Sequence, residues 1–194
     1  MKFLYKTIYG IIIFWSASLF GQGNNPNQSG IYLTSSDFES NKLSYMIICD
    51  SSSHKINTHE ILEKSHLDIY HEGQKYTLNK NEVYGFRLCN DQTFRFYNNK
   101  ELLIKEKNRI YIYVTKVSIP SGKKIETKDE YYFSVGATNN VIELNINNLK
   151  RAFPDNHKFH DLLDSFFKDE TDIAIYDTYH KIHKINHLLE QSLK

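Results

Sequence analysis

The stretch RIYIYVTKVS (residues 109–118) decides the fold class of this chain. Its isoleucines and its first valine alternate with Tyr111 and Tyr113. Side chains that alternate with a period of two lie on opposite faces of a β-strand, and β-branched and aromatic residues favour strands. Both faces of this strand are apolar or aromatic. We therefore expect each face to be covered by other elements or to display an aromatic surface.

Strand patterns of the same kind continue on both sides of this stretch. They are SYMIICD (44–50), HLDIYHEGQKYTLN (66–79), VYGFRLC (83–89), TFRFYNN (93–99), LLIKEK (102–107), EYYFSVG (130–136) and VIELN (141–145). Turn-forming residues at 72–73, 90–92 and 138–140 are typical of hairpins. We predict about eight short strands in a largely antiparallel sheet, which either stays open or curls towards a barrel.

The carboxyl-terminal part changes to a helical period. Asn147 is a candidate cap for a short helix that Pro154 ends. Residues 157–168 repeat apolar side chains at the spacing of an amphipathic helix, capped by Asp155 or Asn156. A last helix is predicted from Thr171 or Asp172 to about Gln191, with a second apolar stripe. The fold class is therefore α+β, with two or three amphipathic helices after the sheet.

The first 22 residues are predicted to be a secretory signal peptide. Lys2 and Lys6 precede an uncharged run from Ile8 to Phe20, and small or polar residues follow. This run is shorter than the roughly 20 apolar residues that a membrane-spanning helix needs. An uncleaved membrane anchor is the alternative. We expect an exported protein of the periplasm or cell envelope, or a secreted one, with no transmembrane helix in its mature chain.

These patterns divide the 194 residues into three parts. Residues 1–22 are the predicted signal peptide and 23–30 a polar linker. Residues 31–194 form one α+β domain, mainly strands over 31–145 and a helical tail over 146–194.

The charge balance excludes one class of partner. The formal net charge is +1, and removing the signal peptide with its two lysines makes it about −1. A nucleic-acid-binding domain carries a basic surface instead. We therefore predict no nucleic-acid partner, and expect an unknown protein, a glycan or a small apolar ligand.

The two cysteines, Cys49 and Cys89, each end a predicted strand. An even pair in an oxidising compartment favours one disulfide. Two separately buried thiols are the alternative.

Candidate ligand-binding residues lie on the aromatic strands. Exposed tyrosines can stack against a sugar or a partner's side chain, and the two arginines would add polar recognition. Packing in the core is the alternative. The candidates are Tyr84, Arg87, Arg95, Tyr111, Tyr113 and Tyr132.

Three histidines of the predicted last helix form a candidate metal site. His180, His183 and His187 would share one arc of that helix, and imidazole is a common zinc ligand. Their spacing differs from the HExxH motif and no glutamate base accompanies them. Histidines that border the packed stripe are the alternative.

A catalytic set is not recognisable. His157 and His160 precede Asp161 and Asp164 by four residues, which would suit general-base work in a hydrolase or ordinary helix-surface pairs. No serine elbow, phosphate loop or dinucleotide fingerprint occurs. We assign no catalytic residue and no cofactor.

Several phrases together resemble a family of uncharacterised exported proteins of Bacteroidetes bacteria. They are GIYLTSSDFESNKLSY, YTLNKNEVYGFRLCNDQTFRFYNN, RIYIY, EYYFSVG and AFPDNHKFHDLLD. The resemblance implies a Gram-negative source and the periplasm or cell envelope, and it implies no activity. The leading expectation is a non-enzymatic binding or structural domain. A periplasmic hydrolase and a metal-binding protein are the alternatives.

Overall fold

The structure, a computed structural model, has the predicted α+β class. It describes residues 27–49, 55–59, 64–122, 124–168 and 172–194. The predicted signal peptide and the first residues of the predicted linker lie outside these ranges. No helix in the described part of the chain is both long enough and apolar enough to cross a membrane.

The strands exceed the predicted number because four short ones, at 28–32, 55–57, 176–177 and 182–183, were not predicted. They are β1 (Gln28–Tyr32), β2 (Ser44–Ile48), β3 (Lys55–Asn57), β4 (His66–His71), β5 (Gln74–Asn79), β6 (Gly85–Arg87), β7 (Thr93–Tyr97), β8 (Lys100–Glu106), β9 (Ile110–Ser121), β10 (Lys124–Val135), β11 (Ile142–Glu143), β12 (Tyr176–Asp177) and β13 (Ile182–His183). The helices are α1 (Ser35–Glu39), α2 (Ile146–Ala152), α3 (His157–Phe166) and α4 (Lys184–Ser192).

Eight strands form one antiparallel sheet in the order β11-β10-β9-β8-β7-β6-β1-β2. As described, this sheet ends in the edge strands β11 and β2 and is not closed into a barrel. The predicted turns at 72–73, 90–92 and 138–140 all connect antiparallel neighbours.

The first strand begins inside the predicted linker. β1 starts at Gln28 and lies between β6 and β2. Gly30 lets these strands approach, since a Cβ there would lie 2.9 Å from the carbonyl oxygen of Ser44. The Ser29 hydroxyl donates to the carbonyl of Arg87 at 2.8 Å. Small and polar residues that resemble a linker therefore serve close packing within the sheet.

The disulfide prediction is confirmed. Cys49 and Cys89 are bonded, and their Cα atoms lie 5.6 Å apart. Cys49 follows β2 and Cys89 follows β6, and both strands flank β1. The bond therefore connects the edge of the large sheet to its interior across β1.

A three-stranded antiparallel sheet, β3-β4-β5, covers part of one face of the large sheet. Leu67 and Ile69 of β4 are fully buried. They pack in one cluster with Ile31, Phe86 and Phe96 of the large sheet. The opposite face of β4 points away from this core and carries polar side chains.

The helices cover the rest of that face. Ile110 and Ile112 of β9 and Phe133 of β10 are fully buried beneath them. The helical side chains in this cluster are Leu149, Phe159, Leu163, Ile185, Leu188 and Leu189. Asn156 caps α3 by accepting from the Phe159 N–H at 3.0 Å, as predicted.

Two predicted helix starts are wrong. Asn145, rather than Asn147, caps α2. The last helix begins at Lys184, because the residues before it form a turn and the short β12-β13 ribbon. The Asp177 carboxylate accepts the N–H groups of Tyr179 and His180, both at 3.0 Å, and this side-chain turn replaces the first part of the expected helix.

A buried polar network fastens α4 to the large sheet. The Asn186 amide accepts from the Ile110 N–H at 3.0 Å and donates to its carbonyl at 2.7 Å. The same amide donates to Glu106 at 2.6 Å. The other oxygen of Glu106 contacts Nδ1 of His183, also at 2.6 Å. The network satisfies backbone groups of β9 that no neighbouring strand reaches.

The hairpin of β9 and β10 is longer than predicted. The polar residues around Pro120 continue both strands up to Ser121 and from Lys124. Their side chains are exposed, and Ile125 is 78% exposed. A strand exposed on both faces lacks the alternating apolar pattern, which explains why this part resembled a loop.

Candidate functional site

The second face of the large sheet carries most of the tyrosines, and it is largely covered. Phe38 of α1, together with Ala137 and Val141 from the turn after β10, packs on this face. Tyr113 is fully buried beneath them. Tyr111 is half-buried, and its ring contacts Phe38 edge-on at 6.2 Å. These two tyrosines are therefore part of the packing and do not form an open aromatic surface.

Arg95 lies at the border of this covered face. It stands on β7 opposite Gly85, where any Cβ would overlap the Phe94 carbonyl. Its Nη1 donates to the Tyr113 hydroxyl at 3.0 Å and to the Ser134 hydroxyl at 3.2 Å. These contacts bring the predicted residues Arg95 and Tyr113 together.

The turn after β10 fixes the other side of the guanidinium. Nη2 of Arg95 donates to the Asn139 carbonyl at 2.8 Å. The Ser134 hydroxyl, which receives Nη1, donates in turn to the Gly136 carbonyl at 2.6 Å. Arg95 is therefore oriented by three hydrogen bonds to neutral groups. Among the described residues it has no carboxylate within 4.0 Å, since every ion pair found there joins other residues.

Tyr84 completes this group of residues. Its ring stacks on Phe38 with centroids 4.7 Å apart, and the Arg95 guanidinium lies over it at 4.9 Å. Burial is the main reason that the pKa of the Tyr84 hydroxyl is raised above its usual value. Because both contacts engage the ring, Tyr84 anchors Arg95 and offers no free surface for a stacked ligand.

A cleft of about 280 Å³ opens beside Arg95 and Tyr84. We call it the Arg95 cleft. Its walls come from three segments: the start of α1 with the residues before it, the 3₁₀ turn Lys80–Glu82 and the turn after β10. Thr34, Ser35, Asn81 and Glu82 supply polar side chains to these walls. The Arg95 cleft is therefore a polar recess with one oriented cation at its border.

Two of the predicted ligand-binding residues lie elsewhere. Arg87 is buried, and it donates to the Gln28 carbonyl at 3.0 Å and to the Asn41 side chain at 2.9 Å. It therefore fastens β1 to the turn after α1. Tyr132 donates to Glu130 at 3.0 Å, and burial together with this carboxylate raises its pKa to about 12.

A larger cleft of about 720 Å³ lies beside Tyr132, between β10, β11 and the residues before β12. Two of its carboxylates, Glu130 and Asp129, form ion pairs within the protein. Lys100 lies 3.7 Å from Glu130, which also receives the Tyr132 hydroxyl. The Arg95 cleft is smaller, and its cation is held by neutral hydrogen-bond partners.

Of the three histidines of the candidate metal site, two stack on each other and the third lies apart. His183 is buried and contacts Glu106. The rings of His180 and His187 stack with centroids 3.9 Å apart and planes at 28°. Lone pairs of an imidazole lie in the ring plane, so nearly parallel rings do not converge on one ion. Nδ1 of His180 contacts Asp177 at 2.8 Å.

The histidines of α3 do not form a recognisable acid–base pair. His160 contacts the Phe153 carbonyl at 2.9 Å, and His157 is exposed. Asp164 accepts from Lys150 at 2.6 Å. The contacts described around these residues join neither histidine to a carboxylate.

The outer face of the small sheet carries a cluster that the sequence reasoning missed. His59, His66 and Asp68 each offer one ligand atom, and these atoms all lie within 4.8 Å of one another. His66 and Asp68 lie two residues apart on β4, a spacing that puts both on one face of a strand. That spacing was visible in the predicted strand HLDIYH, whereas nothing in the sequence pointed to His59.

Comparison with known proteins adds no assignment. No protein-family model matches the chain, and neither a curated protein nor a solved structure resembles it significantly. Function must therefore be inferred from the chemistry of the chain's own residues.

Proposed function

We propose that this protein is an exported, non-enzymatic binding domain of the periplasm or cell envelope, and that it binds a carboxylate of a partner protein at the Arg95 cleft. One observation carries the proposal. Arg95 is oriented by three hydrogen bonds at the border of a recess, and no carboxylate of the described residues lies within 4.0 Å of it.

The donors that Arg95 retains suit a carboxylate. Its three hydrogen bonds to Tyr113, Ser134 and Asn139 come from Nη1 and Nη2. The Nε–H takes part in none of them, and Nε lies beside Nη2 on the guanidinium. The Nε and Nη2 edge of an arginine can bind the two oxygens of one carboxylate. Because the guanidinium is already fixed, binding a ligand costs little side-chain entropy of Arg95.

The surroundings favour a protein ligand over the other expected classes. Sugar recognition commonly uses an open aromatic ring, but the Tyr84 ring is engaged by Phe38 and Arg95. A small apolar ligand needs an apolar recess, whereas Thr34, Asn81 and Glu82 border this one. An acidic side chain on a partner's surface matches the polar walls and the cation at their border.

Export is supported by the sequence and by the disulfide. The segment 1–22 has the charge and length pattern of a signal peptide. The Cys49–Cys89 bond is of the kind that persists in oxidising compartments. Fractionation of a Gram-negative host and amino-terminal sequencing of the product test this part. A product that stays in the cytoplasm with Met1 intact would contradict it.

The carboxylate site is tested by NMR on protein labelled with ¹⁵N-arginine. The probe is a short acetylated peptide that contains glutamates, and the matching glutamine peptide is the control. We expect the Arg95 Nε signal to shift and saturate with the glutamate peptide only. Charge-assisted hydrogen bonds contribute roughly 1.5–3 kcal/mol, so Arg95→Gln should weaken binding about 10-fold or more.

The control variant is Arg109→Gln, because Arg109 is exposed and has no ion pair among the described residues. It should bind the glutamate peptide as the unmodified protein does. Equal shifts with both peptides would show that the carboxylate is not recognised. Equal losses in the two variants would show only general electrostatics. Either result would overturn the proposal.

A further inference from the structure

The cluster of His59, His66 and Asp68 is built by the register of the small sheet. β4 pairs Asp68 with Asn57 of β3 on one side and with Thr77 of β5 on the other. The Asn57 side chain accepts from the backbone N–H of His59 at 3.2 Å, which turns the chain back over the sheet. His59 has a φ of 53°, in the left-handed region that such a turn requires.

The side chains of the cluster converge on one another. Nε2 of His59 lies 3.0 Å from Oδ2 of Asp68. The rings of His59 and His66 have centroids 5.2 Å apart and planes at 63°. Rings at this angle, unlike the stacked pair in the tail, can direct nitrogen lone pairs towards a common point.

We propose that His59, His66 and Asp68 bind a divalent transition-metal ion of the Zn²⁺ type. Two imidazoles and one carboxylate are a ligand set typical of zinc, and three protein ligands leave one position for water or a partner's group. Nitrogen and oxygen ligands of one tetrahedral zinc ion lie about 3.3 Å from one another. The ligand atoms here lie within 4.8 Å, so small movements of the side chains close the site.

Neighbouring hydrogen bonds orient the Asp68 carboxylate for metal binding. The Thr77 hydroxyl donates to Oδ1 of Asp68 at 2.7 Å, which fixes the carboxylate and leaves Oδ2 directed at His59. Such a partner behind a ligating carboxylate strengthens metal binding in known sites. Asp68 is only 7% exposed, so its orientation is determined by these neighbours.

Lys75 occupies the position of a competing cation. Its Nζ lies 3.1 Å from Oδ2 of Asp68, the oxygen that would ligate the metal. The Lys75 side chain is 50% exposed and can move into solvent when an ion binds. A purely structural role for the cluster predicts that removing Lys75 leaves metal affinity unchanged, whereas a metal site predicts that affinity rises.

The test measures Zn²⁺ binding by calorimetry and the absorption spectrum with Co²⁺, on the complete disulfide-bonded protein stripped of metal. We expect one ion per chain. His66→Gln and Asp68→Asn should abolish binding, and Thr77→Val should weaken it about 10- to 100-fold. Lys75→Met should tighten it about threefold or more, because it removes the competing ion pair. A gain in affinity cannot arise from misfolding.

His157→Ala is the control, since His157 is an exposed histidine on α3. It should bind Zn²⁺ unchanged. The proposal is overturned if the unmodified protein binds no Zn²⁺, if His66→Gln binds it equally well, or if His187→Ala loses the ion instead. That last result would place the metal on the tail. Circular dichroism without metal confirms that each variant is folded.

Discussion

Replacing Asn186 with alanine would remove the amide that joins α4 to β9. Asn186 is 1% exposed, and its side chain forms a two-bond pair with the backbone of Ile110. In this pair the amide takes the place of a neighbouring strand. The β8-β9 pairing reaches Ile112, where Glu106 is its partner, so Ile110 depends on Asn186 for these bonds.

The cost of Asn186→Ala follows from the groups that it leaves without partners. The Ile110 N–H and carbonyl lose their bonds inside a fully buried region. Each unsatisfied buried group costs about 1–3 kcal/mol, so these two amount to roughly 2–6 kcal/mol. Glu106 also loses one donor but keeps its contacts with His183. Because a domain is stable by only about 5–15 kcal/mol, this loss is a large fraction of the total.

Urea unfolding followed by circular dichroism measures this loss. The matched control is Asn147→Ala, which removes an exposed asparagine from α2 and should change the free energy of unfolding by less than about 0.5 kcal/mol. A loss below about 1 kcal/mol for Asn186→Ala would refute the reasoning, since water would then replace the amide at little cost.

Two further predictions concern the Cys49–Cys89 disulfide and the acid stability of the tail. Replacing Cys49 and Cys89 together by serine should lower the free energy of unfolding by about 3–4 kcal/mol, because the bond closes a loop with a sequence separation of 40. Thermal unfolding with and without reductant checks this, and an unchanged midpoint would contradict it. Hydrogen bonds from the backbone and ring of His180 lower the pKa of Asp177 from 3.8 to about 2. This carboxylate therefore stabilises the fold above about pH 4, and the contribution is lost as pH falls towards 2. Asp177→Asn should flatten the dependence of stability on pH in that range. An unchanged slope would show that other carboxylates cause the dependence.

Local patterns predicted most strands of the large sheet and turns in both larger sheets. The alternation in β9 and the turn residues at 72–73 and 90–92 depend on neighbours in sequence, so they are visible without a structure. The disulfide was predicted from the positions of Cys49 and Cys89 at strand ends together with the expected compartment.

Features that depend on distant contacts could not be predicted in this way. β1 carries Ser29 and Gly30, which suit a linker by composition but pack closely against Arg87 and β2. The apolar residues before Lys184 fit a helical stripe, yet the side chain of Asp177 forms a turn there. At β1 tertiary contacts outweigh local composition. At Asp177 a local hydrogen bond from side chain to backbone competes with the helix, and the apolar stripe alone does not reveal it.

The candidate site residues likewise divide into those indicated by local patterns and those brought in by distant contacts. Arg95, Tyr84 and Tyr113 were singled out from alternation along their strands, and the structure brings them together. Ser134 and Asn139, which orient Arg95, lie 39 and 44 residues further along the chain. No local pattern indicates such partners. The same holds for His59, which reaches Asp68 through a turn whose geometry is set by Asn57.

The two proposed sites lie on opposite sides of the central sheet, and this makes their tests independent. On β7, Phe96 packs under the small sheet, whereas Arg95, its neighbour in sequence, points to the face covered by α1. The metal ligands lie on the far face of the small sheet, beyond the buried Leu67 and Ile69. Between them stand two layers of β-sheet and a packed apolar cluster. Mutations that share no partners generally have additive effects. Zn²⁺ should therefore leave the affinity of Arg95 for a carboxylate unchanged. If Zn²⁺ does change that affinity, the cluster of Phe86 and Phe96 must change its packing when the ion binds.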